Sequence, residues 1–217
     1  MKLPFEIDLN GKTAVVTGGG GVLCSDFAKT VAHCGAKVAV LDLNADAAAK
    51  VAGEINSLGG TAMAVGTNVL DKESLSDAKE EINNAFGRVD ILLNGAGGNN
   101  RKGTTSKDYY EKGDEVREDV KSFFDLDPKG IEFVFNLNFL GPLLPTQVFA
   151  PDLIDSDDGC IINISSMNAF CPLTRIPAYS GAKAGVSNLT QWLAVHFSKV
   201  GIRVNAIAPG FFLTNQN

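Results

Sequence analysis

The sequence predicts a single α/β domain with a doubly wound parallel sheet in three layers, and three observations carry that prediction. From Thr13 onward, short β-branched apolar runs alternate with longer segments of helical periodicity, the pattern of βαβ units. The apolar runs are nearly continuous rather than alternating, as strands buried on both faces require. No repeat or low-complexity linker interrupts the series, and 217 residues with 45% hydrophobic content can enclose one continuous core.

Taken in order, strands are expected at 13–17, 37–41, 61–65, 89–93, 160–164 and 203–207. Helices are expected at about 23–34, 44–58, 71–86, 128–150 and 178–199. Asn44 and Asp71 can accept hydrogen bonds from first-turn N–H groups as N-caps. Gly35, Gly59, Gly87 and Gly201 stand just beyond helix ends, where a left-handed residue closes the last turn. Residues 97–127 break the alternation with charged and turn-forming residues. A connection of that length is usually functional or mobile, and we read it as an insertion bordering the active site.

Composition narrows the function. A net charge of -6 lacks the basic field that nucleic-acid binding needs. The four cysteines, Cys24, Cys34, Cys160 and Cys171, show no C-x-x-C spacing, so they read as reduced thiols of a cytoplasmic protein. MKLPFEIDLNGK carries no long apolar run, so neither a targeting signal nor a membrane span is expected. His33 has only Cys34 beside it and His196 has no neighbouring ligand residue, too few for a site, and no metal site is expected.

The first predicted strand runs into Thr17-Gly18-Gly19-Gly20-Gly21-Val22-Leu23-Cys24. Bare backbone there can approach a pyrophosphate, whose charge the helix N-terminus favours. Asp42 closes the second strand, where a carboxylate can bind both ribose hydroxyls and repel a 2′-phosphate. No Arg or Lys lies between Thr17 and Asp26, so NAD is expected over NADP. Tyr179 and Lys183, four apart in an amphipathic segment, project from one helix face. A free tyrosine titrates near pH 10 and needs a neighbouring cation to act as a base at neutral pH. Ser166, thirteen residues before Tyr179, follows the fifth strand at the edge where open parallel sheets bind ligands.

These motifs occur in the order of the short-chain dehydrogenase/reductase family, and the resemblance covers nearly the whole chain. It implies a Rossmann-type fold, with Ser166, Tyr179, Lys183 and Asn138 as the catalytic set; Asn136 is the weaker candidate for the asparagine. It also implies cofactor contacts from Gly18, Gly20, Gly21, Val22, Leu23, Asp42 and Leu43, from Asn68-Val69 beside the adenine, and from Asn94, Ala96 and Gly97 after the fourth strand. Tyr179 and Lys183, with Pro209, Gly210 and Thr214, complete the nicotinamide end. The family pattern T-G-x-x-x-G-x-G would place glycines at 22 and 24, where this chain has Val22 and Cys24. The family also continues into a lid and a seventh strand, so the chain is expected to be incomplete at its C-terminus. The resemblance further implies a homotetramer or homodimer through the two long helices.

The glycine turn, the insertion and the segment FFDLDPKGIEFVFNLNFLGPLLPTQVF most resemble the D-mannonate oxidoreductase branch, close to the gluconate 5-dehydrogenases. A sugar-acid substrate is therefore expected, with Arg175, Arg101 or Lys102 to pair its carboxylate. The alternatives are reduction of another ketone, such as a 3-ketoacyl group, and an NAD-binding sensor or scaffold without turnover.

Overall fold

The computed structural model describes residues 7–156 and 158–212. Its strands are β1 (Thr13–Thr17), β2 (Lys37–Asp42), β3 (Thr61–Gly66), β4 (Ile91–Asn94), β5 (Cys160–Ile164) and β6 (Arg203–Ile207). They form one parallel sheet in the order β3-β2-β1-β4-β5-β6. Along β1, Val15 belongs to one core with Leu41, Leu92, Phe149 and Leu153. Ala14 and Val16 belong to the other, with Val38, Val40, Val51 and Ile55. Side-chain alternation thus divides each apolar strand between two helical layers.

The helices are α1 (Val22–His33), α2 (Ala45–Ser57), α3 (Lys72–Phe86), α4 (Pro128–Phe135), α5 (Gly141–Ile154) and α6 (Pro177–His196). Asn44 accepts from the Ala47 N–H, and Asp71 from those of Glu73 and Ser74, as caps of α2 and α3. Gly35, Gly59, Gly87 and Gly201 have φ between 80° and 100°. The predicted fourth strand starts two residues late, at Ile91. Asp90 instead uses its carboxylate on the Thr13 N–H at 2.9 Å, while the Val89 N–H meets Asp152.

The long helix predicted at 128–150 is three pieces, since a π turn at Asn136–Leu140 separates α4 from α5. Pro142 has no N–H for the carbonyl four residues earlier, and one widened turn accommodates that gap. By length and composition, residues 128–154 could cross a membrane. Phe149 and Leu153 are nevertheless fully buried in the core beside β1 and β4, so this is a core helix.

Order reverses between β1 and β4, whose outgoing connections leave toward opposite faces of the sheet. The crevice at their carboxyl ends is where such sheets bind ligands. Among the described residues β6 is a sheet edge, and only its Val204 is buried.

Candidate active site

The turn after β1 requires glycine for distinct reasons. Gly18 has φ +64°, and a Cβ there would stand 2.8 Å from the Ala96 Cα. A Cβ on Gly20 would meet the Ala47 Cβ at 2.7 Å and Asp42 Oδ2 at 3.0 Å. The Gly20 N–H instead donates to Asp42 Oδ2 at 3.0 Å, while Asp42 Oδ1 accepts from the Asn44 N–H. Gly21 caps α1 without any side chain on the first-turn N–H groups, so that helix start can receive an anion. A carboxylate for ribose hydroxyls thus lies beside a bare-backbone cradle for phosphates, a combination that fits a dinucleotide.

The two departures from the glycine pattern have separate explanations. Val22 lies at the crevice and is half exposed, so its side chain has room. Cys24 is buried, and a Cβ on Gly95 would fall 2.1 Å from its Sγ. The thiol therefore fills the space left by a glycine on the neighbouring loop. Burial pushes Cys24 up to about 12, opposed by the charge of Lys183, so the thiol is packing rather than a nucleophile.

Ser166 follows β5 and caps the short turn Met167–Ala169, accepting the Asn168 N–H on its Oγ at 3.2 Å. Tyr179 and Lys183 lie one turn apart on α6, with the Lys183 Nζ 5.6 Å from the tyrosine ring centre. Lys183 is 4% exposed and donates to the Ile164 carbonyl at 2.7 Å. Its burial lowers the ammonium to about 8. Burial raises Tyr179, opposed by a hydrogen bond from Ser166, so the protein alone holds this phenol protonated. It is set up as a proton donor, and a base role requires added positive charge nearby.

Asn138, in the π turn, is fully buried, whereas Asn136 is half-buried. Its Nδ2 donates to the carbonyls of Gly98 and Val134, at 2.6 and 2.8 Å, and its Oδ1 accepts the Gly98 N–H. A Cβ on Gly97 would lie 2.8 Å from Asn138 Oδ1 and 3.3 Å from Lys183 Nζ, so both side chains converge on that glycine. Asn94 sits behind the crevice, donating to Thr146 and to Asn163 on β5. Thr17 Oγ1 accepts the N–H groups of Gly95 and Ala96. The loop after β4 is thus fixed from beneath.

These parts border one crevice of about 840 Å³. It brings together Gly18, Gly20, Gly21, Val22, Leu23 and Asp42 at one end. Ala96, Gly97, Ser166, Tyr179, Lys183, Pro209 and Gly210 complete it. Leu43 is outside its lining and 77% exposed. Asn68 and Val69 follow β3 but also lie outside the lining; Asn68 receives the Leu70 N–H and Val69 is buried. Thr214 lies outside the described residues.

Of the three candidate cations, Arg175 alone borders the crevice. Its Nε donates to the Thr105 carbonyl, and its own carbonyl accepts the Thr105 N–H. Arg101 and Lys102 are away from the lining, which corrects their place at the crevice. Their turn is seated on α4, where a Cβ on Gly130 would meet the Lys102 Cβ at 2.5 Å, and Lys102 faces Asp127. From residues 97–127, Asn99, Thr104 and Asp108 are among those that line the crevice. These three and Asn168 escape sequence reasoning. Only Asn168 left a signal, its spacing of two from Ser166.

The comparisons with known proteins agree with this geometry. Residues 12–217 match the short chain dehydrogenase family. An uncharacterized oxidoreductase of Haemophilus influenzae is 58% identical over 217 residues, all of this chain and 75% of its own length. The uncharacterized oxidoreductase UxuB of Bacillus subtilis is 52% identical over 99% of this chain and 76% of its own. A solved Haemophilus protein with bound NAD, provisionally designated a D-mannonate oxidoreductase, has a TM-score of 0.93. It is 60% identical, with 97% of this chain and 74% of that one covered.

Proposed function

The chain belongs to the short chain dehydrogenase family and is an NAD-dependent oxidoreductase acting on small molecules; from that premise we propose that it interconverts D-fructuronate and D-mannonate. One observation supports this substrate more than any other. The Haemophilus protein provisionally designated a D-mannonate oxidoreductase is 60% identical, with a TM-score of 0.93. Within the crevice, Arg175 supplies a cation for the carboxylate, and Thr104, Asp108 and Asn168 supply partners for hydroxyls.

The glycine turn and the start of α1 would hold the cofactor phosphates, and Asp42 the adenosine ribose. Asp42's negative charge favours NAD over NADP, whose 2′-phosphate it would repel. When bound beside these residues, NADH would supply the hydride. Ser166 donates a hydrogen bond to the substrate carbonyl and Tyr179 delivers the proton to the nascent alkoxide. Lys183 places positive charge beside the phenol and can hold a ribose hydroxyl of the nicotinamide half. In oxidation Tyr179 takes the proton back. Asn138 fixes Gly97-Gly98 against this group.

Four free thiols accord with a cytoplasmic protein. The exposed Phe133 and Phe135 on α4, with Trp192 and Val195 on α6, support a homodimer or homotetramer. The substrate is tested by NADH oxidation over D-fructuronate, 5-keto-D-gluconate and 3-keto esters. D-fructuronate should exceed the others in kcat/KM by about tenfold or more. A preference for a 3-keto ester would overturn the sugar-acid assignment.

A further inference from the structure

Ser166 follows β5, whereas Tyr179 and Lys183 stand on α6, so their chemistry requires the strand end and the helix to keep one spacing. The end of β5 meets α6 residue by residue. The Ile164 carbonyl accepts the Lys183 ammonium at 2.7 Å. Ser165 Oγ donates to the Lys183 backbone carbonyl at 3.2 Å and lies 2.7 Å from Ser187 Oγ. Ser166 hydrogen-bonds the Tyr179 phenol. Of the two side-chain contacts, only that of Ser165 stands outside the proton transfer itself.

Ser165 is 2% exposed, and its N–H is paired with the Ile207 carbonyl at 2.8 Å. Its backbone is thereby fixed and its hydroxyl is committed to α6. The fold's own hydrogen bonding does not require that hydroxyl. Lys183 lies within α6, where the helix ladder already occupies its carbonyl, and Ser187 Oγ donates to the same carbonyl at 3.3 Å. An alanine at position 165 would leave no buried polar group unpaired, the condition under which losing a hydrogen bond costs little. What the serine does hold is the residue of α6 that carries the active-site ammonium.

We propose that Ser165 is a positioning residue for the proton transfer, its hydroxyl tying α6 to β5 at Lys183 so that Ser166, Tyr179 and Lys183 keep one spacing across the crevice. This rests on Tyr179 as the proton donor to a ketone, but not on which ketone is reduced. A displacement of about 1 Å between reacting groups can cost about 10²-fold in rate, so such a tie acts on turnover more than on binding.

The test uses NADH, the whole chain and the best-reduced ketone among D-fructuronate, 5-keto-D-gluconate and 3-keto esters. Ser165→Ala should lower kcat about tenfold or more, with the ketone KM and the NADH Kd each changed by no more than about threefold. Its Tm should stay within about 5 °C of the parent's. Ser165→Thr, which keeps the hydroxyl, should recover most of the lost kcat. Parental kcat in Ser165→Ala overturns the proposal, as does a joint loss of Tm and binding, which a structural role would produce. An equal loss in Ser165→Thr overturns it too, because the hydroxyl is then not what matters. If Ser165→Ala does not fold, the serine serves the fold and the proposal falls. A parent that reduces none of these ketones removes the reductase reading first and this inference with it.

Discussion

Lys183 carries its amine into a position only 4% exposed, with one carbonyl, that of Ile164, to receive it. Desolvation lowers it to about 8 in the folded protein, against about 10.4 in an unfolded chain. Between those values the unfolded chain binds more protons, so stability rises with pH from about 8 to about 10.4, and below 8 the full cost remains. Lys183→Met should therefore be more stable than the parent at pH 7, by about 1–3 kcal/mol. Denaturant titrations should show that gap closing as pH rises toward 10; a gap independent of pH would contradict the account. Cys24 and Gly95 pose a packing test. Gly95→Ala should cost about 1–3 kcal/mol through the clash with the thiol, and adding Cys24→Ala should recover at least about half of it. Additive losses in a double-mutant thermal unfolding cycle would show that the two do not share this space. Tyr179, Lys183, Ser166 and Asp42 were legible in the sequence because helix period and strand ends convert short spacings into geometry. The match of Cys24 to Gly95 was not, since it joins segments 71 residues apart.

At the scale of elements, the apolar runs placed all six strands, because burial on both faces leaves a compositional mark. The insertion had no period to read, and its order comes from contacts that periodicity does not encode. Asp114, 3% exposed, accepts the Glu111 N–H at 2.9 Å and the Lys107 ammonium at 3.0 Å. Those contacts, the backbone N–H foremost, hold its carboxyl below the usual range. The Thr105–Arg175 backbone contact and the close approach at Gly130 fasten the segment to its neighbours. Asp114→Ala should release this segment alone. Hydrogen exchange should accelerate at the amides of Glu111 and Asp114 while β1 and β4 stay protected, and the KM for substrate should rise. Equal acceleration in the sheet would mean that Asp114 supports the whole fold. The π turn was also hidden in the sequence, although Pro142 marks its cause. Its consequence reaches the crevice, since the widened turn carries Asn138 under Gly97 and Gly98.

In the molecule as a whole, the strand order opens a crevice between β1 and β4, and the sheet delivers the glycine turn, Asp42, Ser166 and Tyr179 to it. That convergence was legible because each motif sits at a strand end, and strand ends of a parallel sheet share one edge. Which polar groups surround the substrate was not, since those come from loops without pattern. In the reading proposed above, Tyr179 transfers the proton while hydride passes between NADH and a keto sugar acid. The most direct test is the loss of NADH absorbance with D-fructuronate in the parent protein and in Tyr179→Phe, with NADH affinity measured in both. In Tyr179→Phe, kcat should fall by about 10³-fold or more, with the NADH Kd changed by no more than about threefold. A variant that keeps most of its turnover would contradict it.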